Sequence, residues 1–293
     1  MKQELKTIPR WLLWTAGIIA GLCVAAMVLL VVLIAGRGKE PSMAATEPQQ
    51  IINKTPESTE PEWTEPTLPV FDLPENPFTE EDFDYRGEYL ECTAAPCKIG
   101  VDVSAWQNEV DWQQVKDAGM EFAMIRLAWR GSTEGGIYED KYARANYQGA
   151  KDAGLAVGGY FFSQAVTENE AIEEAEYVLE MVKDWELDMP IVFDWERSTN
   201  RTADLDKQAV TDCALAFCQR IEAEGYETMV YFNIRQIYNE VYIEDLEDYP
   251  LWLAMYDAPM TFPYKVGMWQ YTAKGSVPGI GTNVDLNIYF EYE

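Results

Sequence analysis

Two acidic residues end an otherwise apolar segment, Pro190-Ile-Val-Phe-Asp-Trp-Glu196. The apolar residues before them predict a buried strand, and residues two apart in a strand lie on the same face. Asp194 and Glu196 should therefore point the same way, and burial together with mutual repulsion should raise their pKa values. A protonated acid beside an ionised carboxylate is the pair that hydrolyses glycosidic bonds. The simpler alternative is that both carboxylates cap the next helix.

Two further acids occupy similar positions in other predicted strands. Asp102 lies near the end of Ile99-Gly-Val-Asp-Val-Ser104, and Asp285 lies late in Asn283-Val-Asp-Leu-Asn287. Taken singly, each is explained more simply by a turn or a helix cap. Four acids that converge at strand ends favour a catalytic centre.

Aromatic residues flank these acids. Sugar rings present apolar C–H faces that stack on aromatic planes, so a glycan groove is typically lined in this way. Core packing is the simpler explanation for any one of them, but the cluster at strand ends predicts a groove. The aromatic residues concerned are Trp106, Trp129, Tyr160, Trp195, Tyr231, Trp252, Tyr256, Trp269 and Tyr271.

From Lys98 onward, short apolar runs alternate with amphipathic stretches, which predicts an α/β fold with a mostly parallel sheet. Eight strands in about 195 residues predict a modified, TIM-like (β/α) barrel with an incomplete set of helices, whose site lies at the C-terminal strand ends. The predicted strands are 99–103, 122–127, 155–162, 190–195, 228–232, 251–254, 266–271 and 283–287, and the predicted helices are 111–118, 138–153, 168–183 and 205–224.

The composition excludes several classes of function. The chain has no histidine, so Ser-His and Cys-His catalysis and His-rich zinc sites are ruled out, and acid–base chemistry falls mainly to carboxylates. A formal net charge of -28 should repel nucleic acid. Cys92 and Cys97 bracket a short turn and could form a disulfide in an exported protein, the alternative being that the cysteines serve as small hydrophobes.

The N-terminal third differs from the rest of the chain. Residues 11–36 are almost wholly apolar and long enough to span a bilayer, with Trp11 and Trp14 at one end. We expect a transmembrane helix there, preceded by a cytoplasmic segment, residues 1–10. Residues 37–90 are rich in Pro, Glu, Thr and Ser, which predicts a disordered acidic linker. Residues 91–293 are the predicted catalytic domain. A buried core helix and a cleaved export signal are the alternatives for the span.

The motifs resemble those of the glycoside hydrolase family 25 lysozymes, also called Chalaropsis-type muramidases. The resemblance covers the chain from about Ile99 to its end, and it depends on the order and spacing of motifs that are each weak alone. These motifs are Gly100-Val-Asp-Val-Ser104 with Trp106-Gln107 and Asp111-Trp112, Gly158-Gly-Tyr-Phe-Phe-Ser163, Asp194-Trp-Glu196, Tyr231-Phe-Asn233, Trp252-Leu-Ala254, Trp269-Gln-Tyr271 and Val284-Asp-Leu286.

The resemblance implies a modified α/β barrel that cuts the β-1,4 bond between N-acetylmuramic acid and N-acetylglucosamine in peptidoglycan, and nothing in the matched region implies a metal or an organic cofactor. Because peptidoglycan lies outside the membrane, the span at 11–36 then predicts a membrane-anchored enzyme with an extracytoplasmic catalytic domain. It assigns the catalytic acids to Asp102, Asp194, Glu196 and Asp285, with Glu196 as general acid. Phe161 stands where many members carry a histidine that contacts substrate. An inactive glycan-binding module and a chitin-cutting barrel glycosidase are the alternatives. The expected sugar contacts are Trp106, Tyr160, Tyr231, Trp252, Trp269 and Tyr271.

Overall fold

The computed structural model describes residues 69–256 and 258–292, all of which belong to one compact unit. The predicted cytoplasmic segment 1–10, the predicted span 11–36 and the first part of the predicted linker lie outside the described residues. Among the residues that are described, no helix is long and apolar enough to cross a bilayer.

Eight strands close into a barrel, so the fold is a mixed α/β barrel as predicted. In chain order the strands of the described residues are β1 (Phe83–Arg86), β2 (Tyr89–Cys92), β3 (Cys97–Val103), β4 (Phe122–Arg130), β5 (Ile137–Glu139), β6 (Ala156–Ser163), β7 (Ile191–Trp195), β8 (Thr228–Asn233), β9 (Leu251–Ala254), β10 (Met268–Gly275) and β11 (Val284–Phe290). The order around the barrel is β3-β11-β10-β9-β8-β7-β6-β4, and β4 pairs back onto β3. Seven of these strands run parallel, whereas β11 runs antiparallel between β10 and β3.

The helices lie between the strands of the first part of the barrel. Several begin at a side chain that accepts a hydrogen bond from the first turn, as Asp111, Thr167 and Asp206 do. The helix predicted over 138–153 starts later, because residues 137–139 pair with β4 as an extra strand. The α-helices are α1 (Trp112–Asp117), α2 (Ala143–Asp152), α3 (Glu168–Val182), α4 (Lys207–Glu222) and α5 (Ile234–Asn239), and 3₁₀ turns cover Glu80–Asp82 and Ile243–Leu246.

The barrel wall separates two apolar layers. Inside it, Met124, Val192, Met229 and Met268 fill the space below the rim. Outside it, residues of α3 and α4 pack against the outward-facing side chains of the strands. All of β7 is buried because it faces a packed layer on both sides, which explains its nearly continuous apolar sequence.

The N-terminal part of the described chain covers the wall where helices are missing. The described residues contain no helix between β9 and β11. Instead, Phe71 packs on Tyr264 with ring centroids 5.5 Å apart, and Phe78 stacks on Phe290 with ring centroids 4.9 Å apart. Phe83 packs edge-on against Trp269, with ring centroids 5.2 Å apart. The predicted domain boundary after residue 90 is therefore wrong, since it falls inside the β1–β2 hairpin that forms part of this cover.

The cysteines of this hairpin region remain thiols. Cys92 and Cys97 are both free, and the Cys97 thiol lies 3.5 Å from the carbonyl oxygen of Cys92. The disulfide considered from the sequence is thus not formed. Cys213 and Cys218 are free and buried on α4, where they serve as small apolar side chains.

A buried ion pair ties the barrel to α3. The Nε of Arg130 on β4 donates to Glu174 at 2.6 Å, and the Ser163 hydroxyl donates to the other carboxylate oxygen at 2.6 Å. Glu174 is fully buried, and Arg130 is 4% exposed. Desolvation raises the pKa of Glu174 to about 7, although the hydrogen bonds from Ser163 and Arg130 oppose the shift.

Replacing Arg130 by Met should lower the free energy of unfolding by about 3–5 kcal/mol, because it leaves the Glu174 carboxylate buried without its counter-charge. The loss should be smaller at pH 5 than at pH 8, since Glu174 accepts a proton readily below pH 7. Urea unfolding followed by circular dichroism measures both values. The control is Lys183→Met, which breaks the exposed pair with Glu180 and should leave the unfolding midpoint unchanged. Equal effects of the two substitutions would contradict the prediction.

Candidate active site

The four predicted acids meet at one end of the barrel. Asp102 and Asp194 lie near the C-terminal ends of the parallel strands β3 and β7, and Glu196 follows β7 directly. Asp285 reaches the same rim differently. It is the second residue of β11, not a late one as predicted, and it arrives at this rim because β11 runs antiparallel.

These acids line a cavity of about 310 Å³. A larger cavity of about 690 Å³ lies outside the wall, between the β1–β2 hairpin and β10, but it contains none of the four acids. We therefore place the candidate site in the smaller cavity, whose lining joins acids, aromatic residues and amides. Its lining consists of Asp102, Ser104, Trp106, Gln107, Arg126, Tyr160, Phe162, Asp194, Glu196, Tyr231, Trp252, Tyr256, Gln270, Ala273 and Asp285.

Asp194 and Glu196 differ in their surroundings. Asp194 is buried, and its Oδ1 atom has no hydrogen-bond partner among the described residues. Glu196 is exposed at the mouth of the cavity. Desolvation raises the pKa of Asp194 well above its usual value, and the negative charges of Glu196 and Asp102 add to the shift, while the positive charge of Arg126 opposes it. Desolvation also raises the pKa of Glu196.

Asp102 and Asp285 form a second pair of acids. They are directly opposite each other in the β3–β11 ladder, and their side chains are hydrogen-bonded. Desolvation and the charge of Asp102 raise the pKa of Asp285 to about 8. Desolvation also raises the pKa of Asp102, against hydrogen bonds from Asn287, Gln270 and Asp285 that lower it.

Two amide side chains hold Asp102 from below the rim. The Nε2 of Gln270 donates to Asp102 Oδ2 at 2.7 Å, and the Nδ2 of Asn287 donates to the same oxygen at 2.8 Å. The amide oxygen of Gln270 accepts from the hydroxyls of Tyr231 at 2.8 Å and Tyr256 at 2.6 Å. A continuous hydrogen-bonded network therefore joins β3, β8, β10 and β11.

The aromatic residues predicted to contact sugar divide into two groups. Trp106, Tyr160, Tyr231 and Trp252 line the cavity, and Trp106 is 78% exposed at its edge. Trp252 makes T-shaped contacts with the rings of both tyrosines, with ring centroids 6.0 Å from Tyr160 and 5.0 Å from Tyr231. These contacts hold the two tyrosine rings in place around the acids.

Trp269 and Tyr271 do not line this cavity, so the structure does not bring these two predicted sugar contacts together with the four acids. Side chains alternate across a strand, so the inward position of Gln270 turns both neighbours outward. Trp269 packs against Phe83 at 5.2 Å, and the Tyr271 hydroxyl accepts from the backbone N–H of Leu90 at 3.2 Å. Both residues are buried under the N-terminal hairpin.

Phe161 also faces away from the cavity. It is fully buried and packs toward Phe217 of α4, with ring centroids 6.4 Å apart. The neighbouring Phe162 lines the cavity instead. The difference at Phe161 from the family pattern therefore leaves the lining of this cavity unchanged.

The sequence analysis missed Arg126, Gln270 and Asn287. Arg126 bonds the buried Asp140 at 2.7 Å and lies 5.1 Å from the Trp129 ring. A third cavity of about 430 Å³ adjoins the acid-lined cavity at Arg126, and it is lined by Ala105, Trp106, Arg126, Trp129 and Phe162. Arg126 interrupts the apolar sequence of β4, and a charged residue in such a strand indicates a functional role. Gln270 lies between Trp269 and Tyr271, the two residues that the sequence predicted as sugar contacts.

Comparisons with known proteins agree with this geometry. Residues 101–280 match the family Glycosyl hydrolases family 25. An autolytic lysozyme of Clostridium acetobutylicum is 30% identical over 194 residues, which cover 66% of this chain and 56% of that protein. The chain thus spans little more than half of that relative.

Solved structures share the fold. A bacterial lysozyme from Streptomyces coelicolor aligns with a TM-score of 0.54 at 27% identity, covering 67% of this chain and 93% of that one. A family 25 glycosyl hydrolase from Bacillus anthracis aligns with a TM-score of 0.59 at 22% identity, covering 72% and 96% of the two chains. At that lower identity the similarity concerns the fold alone.

Replacing Asp194 by Asn should stabilise the fold, and more at high pH than at low pH. Because folding raises the pKa of Asp194, its contribution to stability is lost as the pH rises above the unfolded value of about 3.9, whereas Asn does not ionise. Thermal unfolding at pH 4 and pH 8 measures the difference. Exposed Asp204→Asn is the matched control and should shift neither midpoint. An equal rise of the unfolding midpoint at both pH values for Asp194→Asn would contradict the raised pKa of Asp194.

Proposed function

Because the chain belongs to glycosyl hydrolase family 25, we propose that it is a Chalaropsis-type muramidase, which hydrolyses the β-1,4 bond between N-acetylmuramic acid and N-acetylglucosamine in peptidoglycan. The observation that carries this proposal is the convergence of Asp102, Asp194, Glu196 and Asp285 in one aromatic-lined cavity at the barrel rim. Carboxylic acids in two protonation states are the chemical requirement of glycoside hydrolysis.

Glu196 is the general acid in this proposal. It protonates the glycosidic oxygen as the bond to the leaving sugar breaks. Its raised pKa favours the protonated form that donates, and its exposed position at the cavity mouth lets it recover a proton from water after each turnover. No other acid of the cluster combines these two properties, since Asp102 and Asp194 are buried and Asp285 is hydrogen-bonded to Asp102.

Asp194 steadies the positive charge that develops on the sugar, either directly or by orienting the substrate's own N-acetyl group. Its Oδ1 atom is buried, and no described residue donates to it. An acetamido N–H of the substrate supplies the donor that this oxygen lacks. Hydrogen bonding to the carboxylate lowers its pKa, so substrate binding itself favours the ionised form that the reaction needs.

The aromatic residues provide the surface along which the glycan lies. Trp106 stands between the two neighbouring cavities and lines both of them, together with Arg126 and Phe162. Its exposed ring offers a face for a sugar on either side of the cleaved bond. Peptidoglycan glycan strands are therefore the proposed partner of this groove.

Replacing Glu196 by Gln should lower the rate of peptidoglycan hydrolysis by at least about 100-fold, because the amide cannot donate a proton to the leaving oxygen. The full-length chain is incubated with purified peptidoglycan, new reducing ends are counted, and released fragments are identified by mass spectrometry. Muramidase products end in reducing N-acetylmuramic acid.

The matched control is Glu247→Gln, which alters an exposed residue outside the cavity and should retain full activity. Survival of most activity in Glu196→Gln would overturn the role of this residue. Binding of peptidoglycan by the wild-type chain without new reducing ends would instead favour a glycan-binding module, and cleavage of chitin alone would favour the other glycosidase.

The same proposal includes a place in the cell. Residues 11–36 anchor the chain as a single transmembrane helix, with residues 1–10 in the cytoplasm and the barrel outside the membrane. Lys2, Lys6 and Arg10 precede the span, whereas Arg37 and Lys39 follow it, so the positive-inside rule favours this orientation only slightly. The stronger support is chemical, because peptidoglycan lies outside the membrane. The acidic residues after the span form a tether that an anionic membrane repels.

Protease added to intact protoplasts should therefore degrade the barrel while leaving cytoplasmic proteins untouched. The full-length chain should sediment with membranes and be absent from the medium. Immunoblotting with antibodies against the barrel follows both properties. Recovery of the chain from the medium, or resistance of the barrel until the protoplasts are lysed, would contradict this topology.

A further inference from the structure

The orientation of one buried amide defines which atoms of the acid cluster accept hydrogen bonds. The indole N–H of Trp252 donates to Asn287 Oδ1 at 2.9 Å. Indole nitrogen is a donor only, so the atom of Asn287 that faces it must be the amide oxygen. The Asn287 NH₂ group is thereby directed at Asp102 Oδ2, 2.8 Å away.

Gln270 reaches the same oxygen from the neighbouring strand. Its NH₂ group donates to Asp102 Oδ2 at 2.7 Å, while its own oxygen accepts from two tyrosine hydroxyls. One carboxylate oxygen of Asp102 thus accepts two N–H bonds from buried amides. Hydrogen bonds donated to a carboxylate stabilise its ionised form.

Asp285 is left as the partner that bears the proton. Two carboxyl groups in hydrogen-bond contact cannot both be ionised without a large repulsion, so the pair holds one proton between them. We propose that Gln270 and Asn287 are positioning residues that keep Asp102 as the ionised acceptor and thereby assign the proton of the Asp102–Asp285 pair to Asp285. Asp285 then donates this proton in a hydrogen bond to Asp102.

The charged groups around Asp102 and Asp285 favour a pair that keeps one proton. Burial and the charges of Asp102 and Glu196 raise the pKa of Asp285 to about 8, so the proton remains at neutral pH and leaves only in basic solution. Arg126 is the cation that lines this cavity. The groups facing the pair from the other strands and the loop after β9 are Arg126, Tyr160, Asp194, Glu196, Tyr231 and Tyr256.

The consequence for catalysis rests on the function proposed above, whereas the position of the proton does not. A neutral Asp285 adds no negative charge beside Glu196, so it does not hinder ionisation of the general acid after proton transfer. Ionised Asp102 in turn keeps Gln270 oriented, and Gln270 holds the hydroxyls of Tyr231 and Tyr256 at the cavity. Their lone pairs remain available to the substrate.

The test follows the protonation state of each carboxyl group in the full-length chain without substrate. With ¹³C-labelled aspartate, the side-chain carboxyl carbons of Asp102 and Asp285 are assigned by through-bond correlation and followed by NMR from pH 5 to pH 9. The Asp285 carbon should titrate near pH 8, and the Asp102 carbon should stay at its ionised position. Titration of the Asp102 carbon, or equal partial shifts of both carbons, would overturn the proposal.

A pair of matched variants tests the role of the amide. Gln270→Met removes one of the two donors, so part of the proton should move to Asp102, and its carbon should begin to titrate. Gln113→Met removes an exposed glutamine of α1 that bonds Asp117, and it should change neither carbon. A residue with only a structural role would alter stability without changing which carboxyl group titrates. An unchanged Asp102 carbon in a folded Gln270→Met chain would therefore contradict the positioning role.

Activity separates this inference from the proposed function. Asn mimics a protonated Asp, so Asp102→Asn should lower peptidoglycan hydrolysis at pH 6 at least about tenfold more than Asp285→Asn does. The reverse order would overturn the assignment. If the wild-type chain hydrolyses nothing but its carbons titrate as expected, the function fails and the proton assignment stands.

Discussion

The pairing of β11 with β3 is the constraint on which the site depends. It closes the barrel, and it does so with a strand that runs against the other seven, so the start of β11 and the end of β3 share one rim. Its register places Asp285 opposite Asp102 and Asn287 within reach of the same carboxylate. A slip by one residue would turn all of these side chains to the outer face. The acid cluster is therefore a consequence of how the barrel closes.

Placing four carboxyl groups in so small a space opposes folding, and the surroundings limit the cost. Amide donors satisfy Asp102, a retained proton neutralises Asp285, and the charge of Arg126 favours ionised Asp194. Asp194 remains incompletely satisfied, with one oxygen lacking a donor. An unsatisfied buried acceptor of this kind is typical of a site that a ligand completes. The well-packed barrel around the site supplies the stability that offsets its cost.

The N-terminal segment of the described chain covers the outer face of the barrel wall where no helix does. The wall formed by β10 and β11 presents Trp269, Tyr271 and Phe290 on its outer face, and in the described chain no helix lies between β9 and β11 to cover them. Phe78 and Phe83 fill that role. This explains why residues before the family match, which begins at residue 101, belong to the same folded unit.

Local pattern in the sequence was sufficient to predict the eight barrel strands, the strand-end acids and the class of fold, because strand alternation and buried apolar runs depend on near neighbours. Only the tertiary structure decided which side chains of each strand point into the barrel and which acids share a rim. Trp269 and Tyr271 turned outward because Gln270 turned inward, and Asp285 reached the rim because its strand is antiparallel. The roles of Gln270 and Asn287 likewise depend on partners such as Asp102, which lies 168 and 185 residues away. Contacts at that separation follow from closure of the barrel, and no local pattern encodes them.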